Sequence, residues 1–196
     1  FPMADFAAAR LNMVESQVRT QDVTDVRIHD AMRALPRERF VPEAVRWFRI
    51  SADSGSALGQ FNYSVVLSQG TGVERDMAKS VEYLRKSADQ GLARAQVNLG
   101  VHYETGAFLP ADFSQSAHYF KLAADQNNPA GIANLGRSYN FGRGVPQDFV
   151  KAAELYAQAA EQGIPTAQRD LAALYRKGQG VPLDPTRAFE LDKQAD

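Results

Sequence analysis

Cysteine is absent from the 196 residues, tryptophan occurs once and histidine three times. Without cysteine the chain can form neither a disulfide nor a thiolate metal site, and its composition leaves the redox compartment open. An excess of either charge is also lacking. The 22 Lys and Arg stand against 23 Asp and Glu, which argues against a general nucleic-acid or anionic-membrane binder and confines electrostatic specificity to local patches. No apolar run approaches the roughly 18 residues a membrane helix needs, and the N-terminus lacks the basic-then-apolar order of a signal peptide. The chain therefore reads as soluble, with the length of one moderate domain or of a repeat array. Phe1 and Pro2 ahead of Met3 read as additions to a natural start, which keeps an engineered chain among the alternatives.

What is present is periodicity. "ADSG" ends at Gly55, "ADQG" at Gly91, "ADQN" at Asn127 and "AEQG" at Gly163, so the same anchor returns every 36 residues. Further columns keep that register: Tyr63, Leu99, Leu135 and Leu171; Leu67, Tyr103, Tyr139 and Tyr175; Gly70, Gly106, Gly142 and Gly178; Asp76, Asp112, Asp148 and Asp184. So many aligned columns identify an internal repeat.

Each period divides into two helices at its start and stop signals. In the third, helix A is predicted over "PAGIANLGRSYNF", with Pro129 in its first turn, and Gly142, Gly144 and Pro146 break it. Asp148 is placed to cap helix B, "FVKAAELYAQAAEQ", which closes at Gly163. Gly100, Gly136 and Ala172 on helices A, with Ala124 and Ala160 on helices B, let backbones approach while Tyr and Phe of the partner helix fill the volume. One hairpin cannot bury both faces, so neighbours must stack.

The string "L-G-x-x-Y-x-x-G-x-G-V-x-x-D-x-x-K-A-x-x-L-Y-x-x-A-A-x-x-G" of the third period resembles the Sel-one-like repeat (SLR), a relative of the tetratricopeptide repeat. The resemblance covers about Ala44 to Asp196. It departs where Phe108 and Leu109 replace Gly-Val, where Ser64 replaces the helix A glycine, and where the last helix B, "PTRAFELDKQAD", lacks its capping glycine, which suggests a trimmed array. The resemblance implies an all-α fold, a right-handed α-solenoid that scaffolds protein assembly without catalysis. The expected division is a half repeat over 44–55, repeats over 56–91, 92–127 and 128–163, and a truncated repeat over 164–196.

Residues 1–43 lie outside the repeat. "MADFAAARLNMVESQVRTQDVTDVRIHDAMRALPRERFVPE" resembles the N-terminal helical segment of bacterial protein-L-isoaspartate O-methyltransferases. That family would next supply a "GQTIS"-like strand and a glycine-rich turn for S-adenosylmethionine, and neither follows. No cofactor and no methyltransferase activity are expected. The leader reads as a helix over about Ala4 to Arg19, a second from Thr24 or Asp25 to Pro36, and an entry into the array through Pro42 at the start of a helix near Glu43. Met32, Leu35 or Phe40 is expected to cap the first repeat near Trp47 and Phe48.

Candidate chemistry is sparse. His29, His102 and His118 have no partner at metal-ligand spacing on their own helices, and His102 and His118 are expected to pack or face solvent. The repeated aspartates read as helix caps rather than metal ligands, and "QGTGV", "GRGVP" and "GQGVP" read as turns, because no strand precedes them and no G-K-[ST] completes a phosphate loop. In a solenoid of this kind helices A line the concave side. The groove-facing set is then Phe61, Val65 and Ser68; Arg94, Val97, Val101 and Glu104; Arg137 and Asn140; Arg169, Ala173 and Arg176. Its early part is apolar and its late part basic, which suits a peptide with a hydrophobic segment followed by acidic residues. The leading reading is a non-catalytic scaffold for a protein or peptide partner, with no nucleic acid and no membrane. The alternatives are an engineered fusion whose leader sets oligomerisation, and a methyltransferase remnant.

Overall fold

The computed structural model describes the backbone of residues 37–195 and the side chains of residues 43–195. The expected leader helices, His29 and the cap formed by Met32, Leu35 or Phe40 lie outside the described residues. Within them are α-helices and no strand: an all-α helical repeat. The chain divides into two compact units, residues 1–76 and 77–196.

In the first unit, α1 (Arg37–Asp53) packs against α2 (Ala57–Gln69). α1 begins six residues before the start near Glu43 that Pro42 suggests, so Pro42 sits in its second turn. Only the first turn has N–H groups free of helical partners, so Pro42 leaves the Glu38 carbonyl without its usual donor. Ser56 caps α2, its side chain accepting from the Gly59 N–H.

The second unit contains α3 (Met77–Asp89), α4 (Ala93–Thr105), α5 (Phe113–Ala124), α6 (Pro129–Phe141), α7 (Phe149–Glu161), α8 (Pro165–Lys177) and α9 (Pro185–Ala195), and each helix packs on the next. The predicted bounds of α6 agree with the structure, and α7 ends one residue short of its prediction, at Glu161. Asp112, Asp148 and Asp184 accept N–H groups at the starts of α5, α7 and α9. Their own N–H groups donate to the carbonyls of Tyr103, Tyr139 and Tyr175. One aspartate per repeat thus begins helix B and closes the hairpin onto helix A.

Gly100 and Gly136 work sterically as expected. A Cβ on Gly100 would stand 2.6 Å from the Phe120 ring, and one on Gly136 would stand 3.0 Å from Tyr156. The aromatic of helix B therefore lies close against helix A, and both rings are fully buried. Burial of such a side chain contributes roughly 1.5–3 kcal/mol. Gly144 meets a stricter demand: at φ 75° its Cβ would fall 1.9 Å from the Phe113 carbonyl oxygen. Phe108 stands in this column one period earlier. Only Asn127 among described non-glycine residues has positive φ, so Phe108 cannot copy the glycine conformation, and it lies largely exposed with its ring edge on His102 at 5.2 Å.

A glutamine column escaped the sequence reading. Gln60, Gln96 and Gln168 donate through Nε2 to the carbonyls of Ala52, Ala88 and Ala160, the final turns of the preceding helices B. The signal was available, since the three glutamines share one register position and Ile132 fills the fourth.

Candidate interaction face

The helices A of the second unit are α4, α6 and α8. α4 and α6 touch directly, and Glu104 ties them together. Its carboxylate accepts from Arg137 Nη2 at 2.5 Å and from Arg143 Nη1 at 3.3 Å. Only 12% of the Glu104 side chain is exposed, so this pair is screened less than an ordinary surface bridge. Arg143 also lies over the rings of Phe113 and Phe141, 5.5 and 5.2 Å from their centroids.

Behind Arg137 the face becomes a polar cluster. Tyr156 rises from α7 beneath Gly136, and its hydroxyl reaches the vicinity of Asn140 and Asp170. The hydroxyl interacts with the Asn140 amide and the Asp170 carboxylate. Burial, reinforced by the Asp170 charge, raises the Tyr156 pKa and keeps the group a donor at neutral pH. Desolvation also raises the Asp170 pKa, with Arg137 and Arg169 opposing it. Arg137 Nε is buried without an acceptor, although the same guanidinium is bound to Glu104. Buried donors of this kind are normally satisfied.

The remaining expected groove residues distribute as follows. Val97 and Val101 are half-buried on α4, and Arg94 is exposed. Asn140 lies at the cluster, Ala173 is half-buried, and Arg169 is exposed on α8 without an ion pair among the described residues. Arg176 is exposed but bound by the Asp192 carboxylate of α9. In the first unit Phe61, Val65 and Ser68 are half-buried along α2, and the Ser68 hydroxyl donates to the Val65 carbonyl. Two of the three arginines expected to present free positive charge are thus already neutralised by carboxylates of this chain.

The two described histidines contact different side chains. His102, in contact with Phe108, has a pKa lowered by burial and an Nδ1 without a partner, whereas exposed His118 lies edge-on to Tyr119. No group of three or more His, Asp or Glu side chains able to hold a metal occurs among the described residues. No described helix is long and apolar enough to cross a membrane.

A family model described as "Sel1 repeat" matches residues 41–56, 57–92, 93–128, 129–164 and 165–195. Among solved structures, a Sel1 repeat protein from Oxalobacter formigenes is 30% identical with TM-score 0.74, over 79% of this chain and 61% of its own. A protective antigen of uropathogenic Escherichia coli strains with an SLR fold is also 30% identical with TM-score 0.74, over 77% of this chain and 32% of its own. A protein-L-isoaspartate O-methyltransferase of Methylorubrum extorquens (strain PA1) is 50% identical over 44 residues, 22% of this chain and 19% of that enzyme. The chain therefore spans less than two thirds of each of these relatives, and about a fifth of the methyltransferase.

Proposed function

The chain belongs to the Sel1 repeat family, whose repeats generally mediate protein–protein interaction, and from this we propose that it is a non-catalytic scaffold holding a partner segment on the face formed by α4, α6 and α8. The observation supporting this reading is the Sel1 repeat match, which spans residues 41–195. Half-buried Val97 and Val101 on α4 offer apolar contact, and exposed Arg169 on α8 offers a cation.

The partner's chemistry differs from the acidic peptide that the sequence suggests. Arg137 and Arg176 are committed to Glu104 and Asp192, so binding rests chiefly on apolar contact and neutral hydrogen bonds, with a weak dependence on salt. Val101→Asp, which places a charge at the centre of the face, should abolish capture of the partner that wild-type chain retains. Glu154→Ala, on an exposed part of α7, should leave capture unchanged. Equal capture by Val101→Asp and wild type would remove this face from the account.

A further inference from the structure

We propose that Arg143, together with the rings of Phe113 and Phe141, anchors a Glu or Asp side chain that the partner carries between apolar residues. The inference deepens the reading of α4, α6 and α8 as the interaction face and rests on it, because Glu104 of α4 joins Arg143 to Arg137 of α6. The loop after α6 fixes Arg143 in place. Gly142 and Gly144 on either side of it have φ of 64° and 75°. The Arg143 N–H donates to the Ser138 carbonyl, and Gly144 lies against the Phe113 carbonyl with no room for a Cβ. The guanidinium lies over Phe113, which opens α5, and over Phe141, which closes α6. Rings from two helices thus hold it, yet both rings are exposed and so is 47% of the Arg143 side chain. A guanidinium has five N–H donors. One, on Nη1, goes to Glu104, and no other acceptor meets the group among the described residues, so its remaining donors are open to a ligand.

Charge selects the ligand. Glu104 brings one negative charge to two guanidinium groups, so the cluster keeps one positive charge in excess, and Arg143 is the more exposed of the two cations. An ammonium is repelled by that excess, and a phosphate dianion is only half neutralised by it. A single carboxylate matches the charge and fits the fork of the guanidinium. Because the rings already hold the side chain, less of its freedom is lost on binding. The two rings offer apolar contact from separate helices, which suits an acidic residue with apolar neighbours on both sides rather than the carboxylate at a chain end. The comparison within the array isolates the determinant. The position of Arg143 is held by Thr71, Ala107 and Gln179 in the other periods, and that of Phe141 by Gln69, Thr105 and Lys177. Those periods end helix A on the same left-handed glycine, so the turn requires neither the cation nor the ring.

Short peptides test the chemistry directly. The full chain is titrated separately with acetyl-Leu-Glu-Leu-amide, its Gln counterpart, acetyl-Gly-Glu-Gly-amide, acetyl-Leu-Gln-Leu with a free C-terminal carboxylate, and inorganic phosphate, with NMR following the Arg143 Nε–H and Phe141 ring signals. Acetyl-Leu-Glu-Leu-amide should shift both signals saturably, and its affinity should fall modestly as salt rises. The Gln counterpart should bind roughly three- to tenfold more weakly, the worth of one partly exposed charge-assisted contact, and the Gly-flanked peptide should also bind more weakly. Arg143→Gln should bring the Glu and Gln peptides to equal affinity with the helical spectrum unchanged, and Phe141→Ala should weaken both. Equal affinity of the two peptides for the wild-type chain would overturn the proposal. So would a Gly-flanked peptide binding as tightly as the Leu-flanked one, which removes the rings from the site. Phosphate binding more tightly than the Glu peptide would make this a phosphate site, and tighter binding of the free carboxylate would make it a site for a chain end; either result overturns the assignment, as does the absence of any saturable shift. Partner capture is read separately: if Val101→Asp abolishes it while no peptide discriminates at Arg143, the anchor falls and the interaction face stands, and the reverse pattern retains the anchor alone.

Discussion

Asp170 and His102 carry opposite pH signatures. Desolvation raises the Asp170 pKa, so its ionisation opposes folding at neutral pH, and that penalty is removed as pH falls through the raised folded value. Asp170→Asn should therefore raise the midpoint of denaturant unfolding at pH 7, and the gain should shrink on acidification; an unchanged midpoint at pH 7 contradicts this assignment. Burial lowers the His102 pKa, so the unfolded chain binds this proton more readily below the ordinary value of about 6.5. Stability should fall as pH drops below that value and continue to fall until the folded pKa is passed. His102→Gln should flatten this part of the stability profile; an identical slope would show that another group is responsible.

Among elements, helix starts and tight crossings differ in what they tolerate. Asp148→Ala removes the acceptor for two N–H groups at the start of α7 and should cost about 0.5–2 kcal/mol in equilibrium unfolding. Gly100→Ala forces a methyl to 2.6 Å from the Phe120 ring and should cost about 1–3 kcal/mol. Gly136→Ala, at 3.0 Å from Tyr156, should cost less; the reverse order would show that the ring packing is misassigned. These features were legible in the sequence because they repeat: the aspartate column, the glycine breaks and the bounds of α6 all follow from one register. The Glu104–Arg137 pair did not show itself, because it joins different columns of successive periods and occurs once. Arg176 and Asp192 present the same difficulty. Periodicity locates a face, whereas the chemistry of that face lies in the residues that break the period.

For the whole molecule, family membership and the all-α repeat support a scaffold, and the central claim is that partners engage α4, α6 and α8 rather than the helices B. Site-specific photo-crosslinking tests this most directly, with a photoreactive residue placed at Arg169 on α8 in one sample and at Glu154 on α7 in another, both exposed positions. The account predicts a discrete cross-linked partner from position 169 that Val101→Asp eliminates, and none from position 154. A partner captured through position 154 and insensitive to Val101→Asp would contradict it.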